Sequence, residues 1–272
     1  MKLSSAHVDV HPIIAPAAAA NRKAVDTARS KGAVCSLQIH VSVTAQKAKA
    51  PYLLTMRKLV AEFTGTALIT AAVIGSAIMA TNWTKDGAIW LLVNMISTVA
   101  ALYISILLFA SISGAHFNPV VTLVNLIQKS ISTRDFFAYS LAQLGGAIFG
   151  ATIAHFLFDY SILSISKIER NGANIFVSEV VASFGLVLIA VAIWRNFKVR
   201  TRASLLSLWI ASAYFFTSST SFANPAVSFG RMLTDSLAGI SPASLALFVP
   251  AQVLGGVLAY FFATFLSKGA RE

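Results

Sequence analysis

The chain has 272 residues, 57% of them hydrophobic and only 11% charged, with a mean hydropathy of +0.75; this balance excludes an ordinary soluble globular domain and indicates a polytopic membrane protein. The formal charge of +11 lies in the N-terminal tail and between the apolar runs rather than along one face of a soluble fold, which argues against a nucleic-acid surface. The single cysteine, Cys35, excludes an intrachain disulfide and leaves neither a thiol catalyst nor a Cys-based metal site within the apolar runs.

Residues 1–55 carry seven Lys or Arg, two Asp and the run IIAPAAAA. The apolar run is too short for a signal peptide, and the composition predicts a basic, disordered extension. MRKLVAEF, starting at Met56, reads as a membrane protein's own start, so residues 1–55 are expected to be dispensable. Apolar stretches long enough to cross a hydrocarbon core of about 30 Å follow at Leu59–Ala80, Ala88–Ile112, Phe136–Phe158, Ile175–Trp194, Ala203–Thr220 and Ala243–Leu266. Outer-membrane strand patterns are absent, so the six spans are helices. With the N-terminal tail inside, Arg57, Lys58, Lys129, Arg134, Arg195, Lys198, Arg200, Arg202, Lys268 and Arg271 fall on the cytoplasmic side, against Lys85, Lys167, Arg170 and Arg231 outside. Both termini are therefore expected to be cytoplasmic.

The two halves repeat. AEFTGTALIT with Glu62, HFNPVVT and AQLGGAIFG recur in order as SEVVASFGLVLIA with Glu179, FANPAVS and AQVLGGVLAY, the glutamates 117, the Asn-Pro pairs 106 and the glutamines 109 residues apart. Each half holds three spans, an odd number, so the second copy lies inverted relative to the first.

Asn is a favoured helix N-cap and Pro a favoured first helical residue. Asn118-Pro119 and Asn224-Pro225 thus each start a helix, with room for about ten residues, or roughly 15 Å, half a bilayer. A single Asn-Pro would be an ordinary cap. Two at equivalent places in inverted repeats predict half-helices entering from opposite faces and meeting at the midplane, where irregular backbone is tolerated only in a protein interior or beside a water-filled cavity.

These motifs, with SGAHFNPV, FANPAV and both glutamate-bearing spans, resemble the major intrinsic protein family of aquaporins and glycerol facilitators from about Met56 to Leu266. The resemblance implies an all-α polytopic fold of six transmembrane helices plus two re-entrant half-helices. With the composition of the tail and the internal repeat, the expected organisation is an extension 1–55, a channel domain 56–268 made of repeats at about 56–160 and 172–268, and a tail 269–272. It further implies a passive, non-enzymatic channel in the lipid bilayer of the plasma membrane, a homotetramer, with no cofactor, metal or nucleic-acid partner. Asn118, Pro119 and Val120 with Asn224, Pro225 and Ala226 would be the pore motifs, their half-helix dipoles disfavouring cations at the centre. Glu62 and Glu179 would hold the re-entrant loops, as a carboxylate inside a span needs a partner, and His116 would support the first loop.

The chain departs from the family pattern at two places. The first motif is Asn-Pro-Val, and Val120 is expected to add bulk beside the constriction. After the second motif Val227 stands where most members carry the filter arginine; an arginine occurs only four residues on, at Arg231. Counting back without gaps puts the other filter positions on Thr98, Ser212 and Ser221, a small, uncharged ring that predicts a wide filter passing metalloid hydroxides such as arsenous acid, glycerol and water. A water-selective channel and a secondary transporter are the alternatives; beyond the two glutamates the spans offer almost no coupling groups for the latter.

Overall fold

The computed structural model describes residues 36–162, 164–192 and 197–269. Among the described residues the chain is wholly helical apart from loops. The first four helices are α1 (Ser36–Trp83), α2 (Gly87–Phe109), α3 (Pro119–Ile127) and α4 (Thr133–Leu157). The second four are α5 (Ala173–Ala192), α6 (Val199–Phe216), α7 (Pro225–Met232) and α8 (Pro242–Gly269). Six are long and two, α3 and α7, are short, in the order the duplicated sequence predicts. Five of the long ones are long and apolar enough to cross a membrane; α6, which carries Arg200 and Arg202 in its first turn, is the exception among the six.

The chain divides into two compact units at Leu54/Thr55. In the first, residues 36–54 are helical. The segment is rich in Ala, Leu, Gln and Lys, which favour helix. Residues 1–35, Trp194 and Arg195 at the fourth predicted span's end, and residues 270–272 with Arg271 lie outside the described residues.

In the second unit the polarity is inverted relative to a soluble protein. Val60, Ile96, Phe137, Leu141 and Phe265 are exposed, whereas Glu62, Gln143, Glu179 and Gln252 are 0% exposed. A lipid-facing surface needs no polar cover, while every buried polar group needs a partner.

Small residues let the helices of each half close on one another. A Cβ on Gly146 of α4 would lie 2.2 Å from the carbonyl oxygen of Phe63 in α1, and one on Gly255 of α8 would lie 2.3 Å from that of Val180 in α5. Phe63 and Val180 are 117 positions apart, as are the glutamates next to them, so the same helix contact occurs twice. The fifth span was expected to continue to Thr220, but α6 ends at Phe216, and the chain runs on without helix to Asn224.

Candidate pore and selectivity site

Both Asn-Pro pairs build the helix start that their residue types favour. Asn118 is the N-cap of α3, its Oδ1 accepting from Val120 N at 2.9 Å, with Pro119 in the first turn. Asn224 caps α7, accepting from Ala226 N at 3.0 Å and Val227 N at 3.3 Å. The helices are nine and eight residues long, each about 12–14 Å at 1.5 Å per residue and so close to half a hydrocarbon core. Their N-terminal ends meet. Asn118 Nδ2 donates to Ala223 O at 2.7 Å, and Asn224 Nδ2 donates to Phe117 O at 2.8 Å. One of the two N–H donors on each amide is thereby used, and the other is left for the cavity that both side chains line.

The loops leading into these caps are held by the two intramembrane glutamates. Glu62 accepts from Ser113 Oγ (2.6 Å), His116 N (3.0 Å), Phe117 N (2.7 Å) and Gln143 Nε2 (2.8 Å). Glu179 accepts from Phe222 N (3.0 Å), Ala223 N (2.9 Å) and Gln252 Nε2 (2.6 Å), and from the Ser219 side chain. Each glutamine also reaches a hydroxyl on the half-helix, Gln143 to Thr122 Oγ1 and Gln252 to Ser228 Oγ, both at 3.0 Å. These bonds hold a strained backbone: Ala115, Phe117, Ser221 and Ala223 all have φ between 48° and 55°, a left-handed conformation that costs a non-glycine residue about 1–3 kcal/mol. His116 stands beside Thr122, Nδ1 to Oγ1 at 3.2 Å, with its ring 5.3 Å from that of Tyr139.

Thr98, His116, Asn118, Ser221, Asn224 and Val227 line one cavity, with an apolar wall that includes Val73, Leu102, Ile106, Leu186 and Ile210. Ser212 does not join them: it is exposed, while Tyr214 lines the cavity and donates from its hydroxyl to Thr98 Oγ1 at 3.1 Å. Two residues along a helix turn the side chain by about 200°, so Ser212 and Tyr214 face opposite ways. Val120 is also corrected. It is 1% exposed and packs away from the cavity with Val124, Val187 and Ala259, while Val121 lines the wall. Its bulk fits because α8 has Gly256 there, where a Cβ would lie 2.2 Å from Val120 Cγ1.

A charged side chain also lines this cavity. Arg231, 3% exposed, lies one turn beyond Val227 on α7 and lines both this cavity and a second one, which Trp90, Asn94, Arg170 and Thr220 also line. Its Nε donates to Ala238 O at 2.5 Å, and its Cζ stands 3.3 Å from the centre of the Phe222 ring, a cation–π contact. An i, i+4 pair shares one helix face, which lets the displaced arginine reach the junction of the two cavities.

The comparisons agree with this geometry. A family model, Major intrinsic protein, matches residues 49–223. The chain belongs to the major intrinsic protein family. Its relatives include the aquaglyceroporin AqpS of Rhizobium meliloti (strain 1021), 44% identical over 79% of this chain and 92% of that protein. Aquaporin TIP2-3 of Zea mays is 34% identical over 49% of this chain and 55% of that protein. The X-ray structure of the aquaglyceroporin from Plasmodium falciparum superposes with a TM-score of 0.64 at 19% identity, covering 76% of this chain and 95% of that one, a likeness of fold.

Members of the family are channels rather than enzymes, and this chain is an integral membrane protein of that kind. The family match stops one residue short of Asn224, so the second motif is placed by its hydrogen bonds to the first. Sequence reasoning missed Tyr214, because the count back from Asn224 took no account of where α6 ends. It also missed Ser113, Ser219, Gln143 and Gln252 as loop partners, although each pair recurs at the repeat offset and so carried a signal.

Proposed function

We propose that the chain is a passive channel for small uncharged solutes of the glycerol size class, as well as water. The observation that carries this reading is the joint lining of one cavity by Asn118 and Asn224, the caps of two half-helices whose amides are latched to each other's loops. Hydrogen-bonding groups at Thr98, Tyr214 and the two asparagines stand along a path whose remaining wall is apolar, a surface suited to a molecule with hydroxyls on one side and CH groups on the other. The positive ends of α3 and α7 at the midpoint disfavour cations.

In this reading Thr98, Tyr214, Ser221, Val227 and Arg231 form the selectivity region. Metalloid hydroxides, which are compact neutral polyols in hydrogen-bonding terms, belong to the same substrate class. The protomers assemble as a homotetramer in the plasma membrane with both termini cytoplasmic, the orientation favoured by the excess of Lys and Arg in the inner loops. A specific feature favours a second reading, a water-selective pore: Tyr214 and Arg231 put more bulk and charge at the cavity junction than the sequence predicts.

Stopped-flow swelling of proteoliposomes, with water, glycerol, urea and arsenous acid gradients compared in parallel, decides between the two. Solute flux well above that of empty liposomes supports the wider channel; water flux alone supports the narrower one. Accumulation against a gradient, or collapse with an uncoupler, would indicate a transporter instead.

A further inference from the structure

The second cavity holds two arginines that the conduction pathway does not require as a pair. Arg170 comes from the loop between α4 and α5, and Arg231 from the end of α7. Both guanidinium carbons approach the same Phe222 ring, at 5.2 and 3.3 Å from its centre, which bounds their separation at about 8.5 Å. Arg170 donates from Nε to Gly239 O (2.9 Å) and from Nη2 to Leu237 O (3.0 Å), and Arg231 donates from Nε to Ala238 O. Those bonds hold the 237–239 segment, yet they leave Nη1 of Arg170 and both terminal nitrogens of Arg231 without a protein acceptor among the described residues.

No carboxylate among the described residues forms an ion pair with either arginine. Glu179 acts on both charges from a distance, but it is fully buried, is not part of the cavity lining, and is occupied by Phe222 N, Ala223 N and Gln252. Asp235 is exposed and accepts from Lys167 N at 2.9 Å, and Glu169 is exposed and pairs with Asn171. Two guanidiniums therefore share a recess with Asn94 and Thr220, whose remaining wall is mostly apolar, with Ala77, Trp90, Leu91, Leu237 and Ala238. Planar forks of N–H donors match oxyanions, with bonds of about 2.8 Å on each side, and one such anion can bridge charges at this separation.

We propose that this recess is a binding site for a small oxyanion, of the inorganic phosphate or sulfate class, held between Arg170 and Arg231. Because Arg231 also borders the inner cavity, a bound anion stands at the entrance to the conduction path and slows the flux of neutral solutes.

The test is calorimetric titration of the purified full-length protein with sodium sulfate at constant ionic strength, chloride being the reference anion. Saturable binding is expected, and Arg170→Gln is expected to weaken it at least about tenfold, the loss of a charge-assisted contact. Lys167→Gln, which removes a nearby backbone-anchored but exposed charge, is expected to stay within about twofold. Absence of saturation, equal binding in Arg170→Gln, or equal loss in Lys167→Gln overturns the proposal. Should Arg170→Gln unfold, Arg170→Lys decides: it keeps the charge and loses the planar fork, so weaker binding is expected, and sulfate binding equal to the wild type in a folded Arg170→Lys protein would reject the site. The binding measurement does not depend on conduction, so its failure is separable from failure of the channel reading. In proteoliposomes, sulfate in the external medium is then expected to slow glycerol swelling in the wild type and not in Arg170→Gln.

Discussion

Asn118 and Asn224 are latched to each other's loops: each donates its side-chain amide to the carbonyl of the residue just before the other, at 2.7 and 2.8 Å. The contact joins positions 106 residues apart and is reciprocal, which a duplicated, inverted chain permits and a single copy could not. It also makes the two half-helix tips one mechanical unit, so a change in either loop is felt at both asparagines. The glutamates beneath them are the natural place to test this.

Replacing Glu62 or Glu179 by glutamine keeps the size and removes an acceptor. In each loop two successive backbone N–H groups go to different carboxylate oxygens, His116 and Phe117 in one and Phe222 and Ala223 in the other. One N–H must then face the new NH2 group. The expected cost is about 3 kcal/mol for either variant, a buried donor left without its charged acceptor. A lowered thermal unfolding midpoint in detergent, together with lost flux in both variants, checks it; an unchanged midpoint in either would show that the loops are held by something else.

The pair Val120 and Gly256 makes a second prediction. Gly256→Ala forces a Cβ to 2.2 Å from Val120 Cγ1, and overpacking of this kind costs about 1–3 kcal/mol. Val120→Ala alone leaves a small void near Val124 and Val187. The double variant is expected to recover most of the stability lost in Gly256→Ala, a coupling of about 1 kcal/mol or more in a double-mutant cycle. Strict additivity of the two unfolding shifts would contradict the packing described here.

The order of six long and two short helices was legible in the sequence because the repeat carries its own check: each motif occurs twice, and the odd number of spans dictates inversion. The Asn-Pro caps were legible for the same reason, with local preference and repeat position agreeing. What could not be read was side-chain direction. Ser212 and Tyr214 are two residues apart, and only the end of α6 at Phe216 decides which of them faces the cavity. Val120 was read as a pore residue because it follows Asn-Pro, yet its neighbour Val121 lines the wall, a difference of about 100° around α3. Arg231 was legible as a residue but not as a cavity wall, since its reach depends on a long side chain laid across Phe222.

Tyr214→Phe separates the hydroxyl from the ring. The variant loses the 3.1 Å bond to Thr98 Oγ1, worth about 1 kcal/mol, while the aromatic wall remains. Water flux is expected to stay within about twofold and discrimination among polyols to weaken, because a hydrogen-bonding site rejects mismatched solutes more strongly than an apolar one. Tyr214→Ala, by contrast, is expected to raise the flux of the larger solutes by removing the wall. Identical solute selectivity in wild type, Tyr214→Phe and Tyr214→Ala would remove Tyr214 from the selectivity region.

Val227→Arg tests the constriction itself. Val227 is 5% exposed, lines the inner cavity and sits one turn before Arg231 on the same face of α7. A guanidinium at 227 adds a second charge near Arg231 and fills space now bordered by a short apolar side chain. A solute of glycerol size must shed more water and find more room than a water molecule does, so its flux is expected to fall by about tenfold or more while water flux falls by less than about threefold. The measurement is the ratio of glycerol to water permeability in proteoliposomes carrying equal amounts of protein. Equal suppression of both, or of neither, would mean that the narrowest part of the path lies elsewhere, and Thr98 with Tyr214 would be the next position to widen.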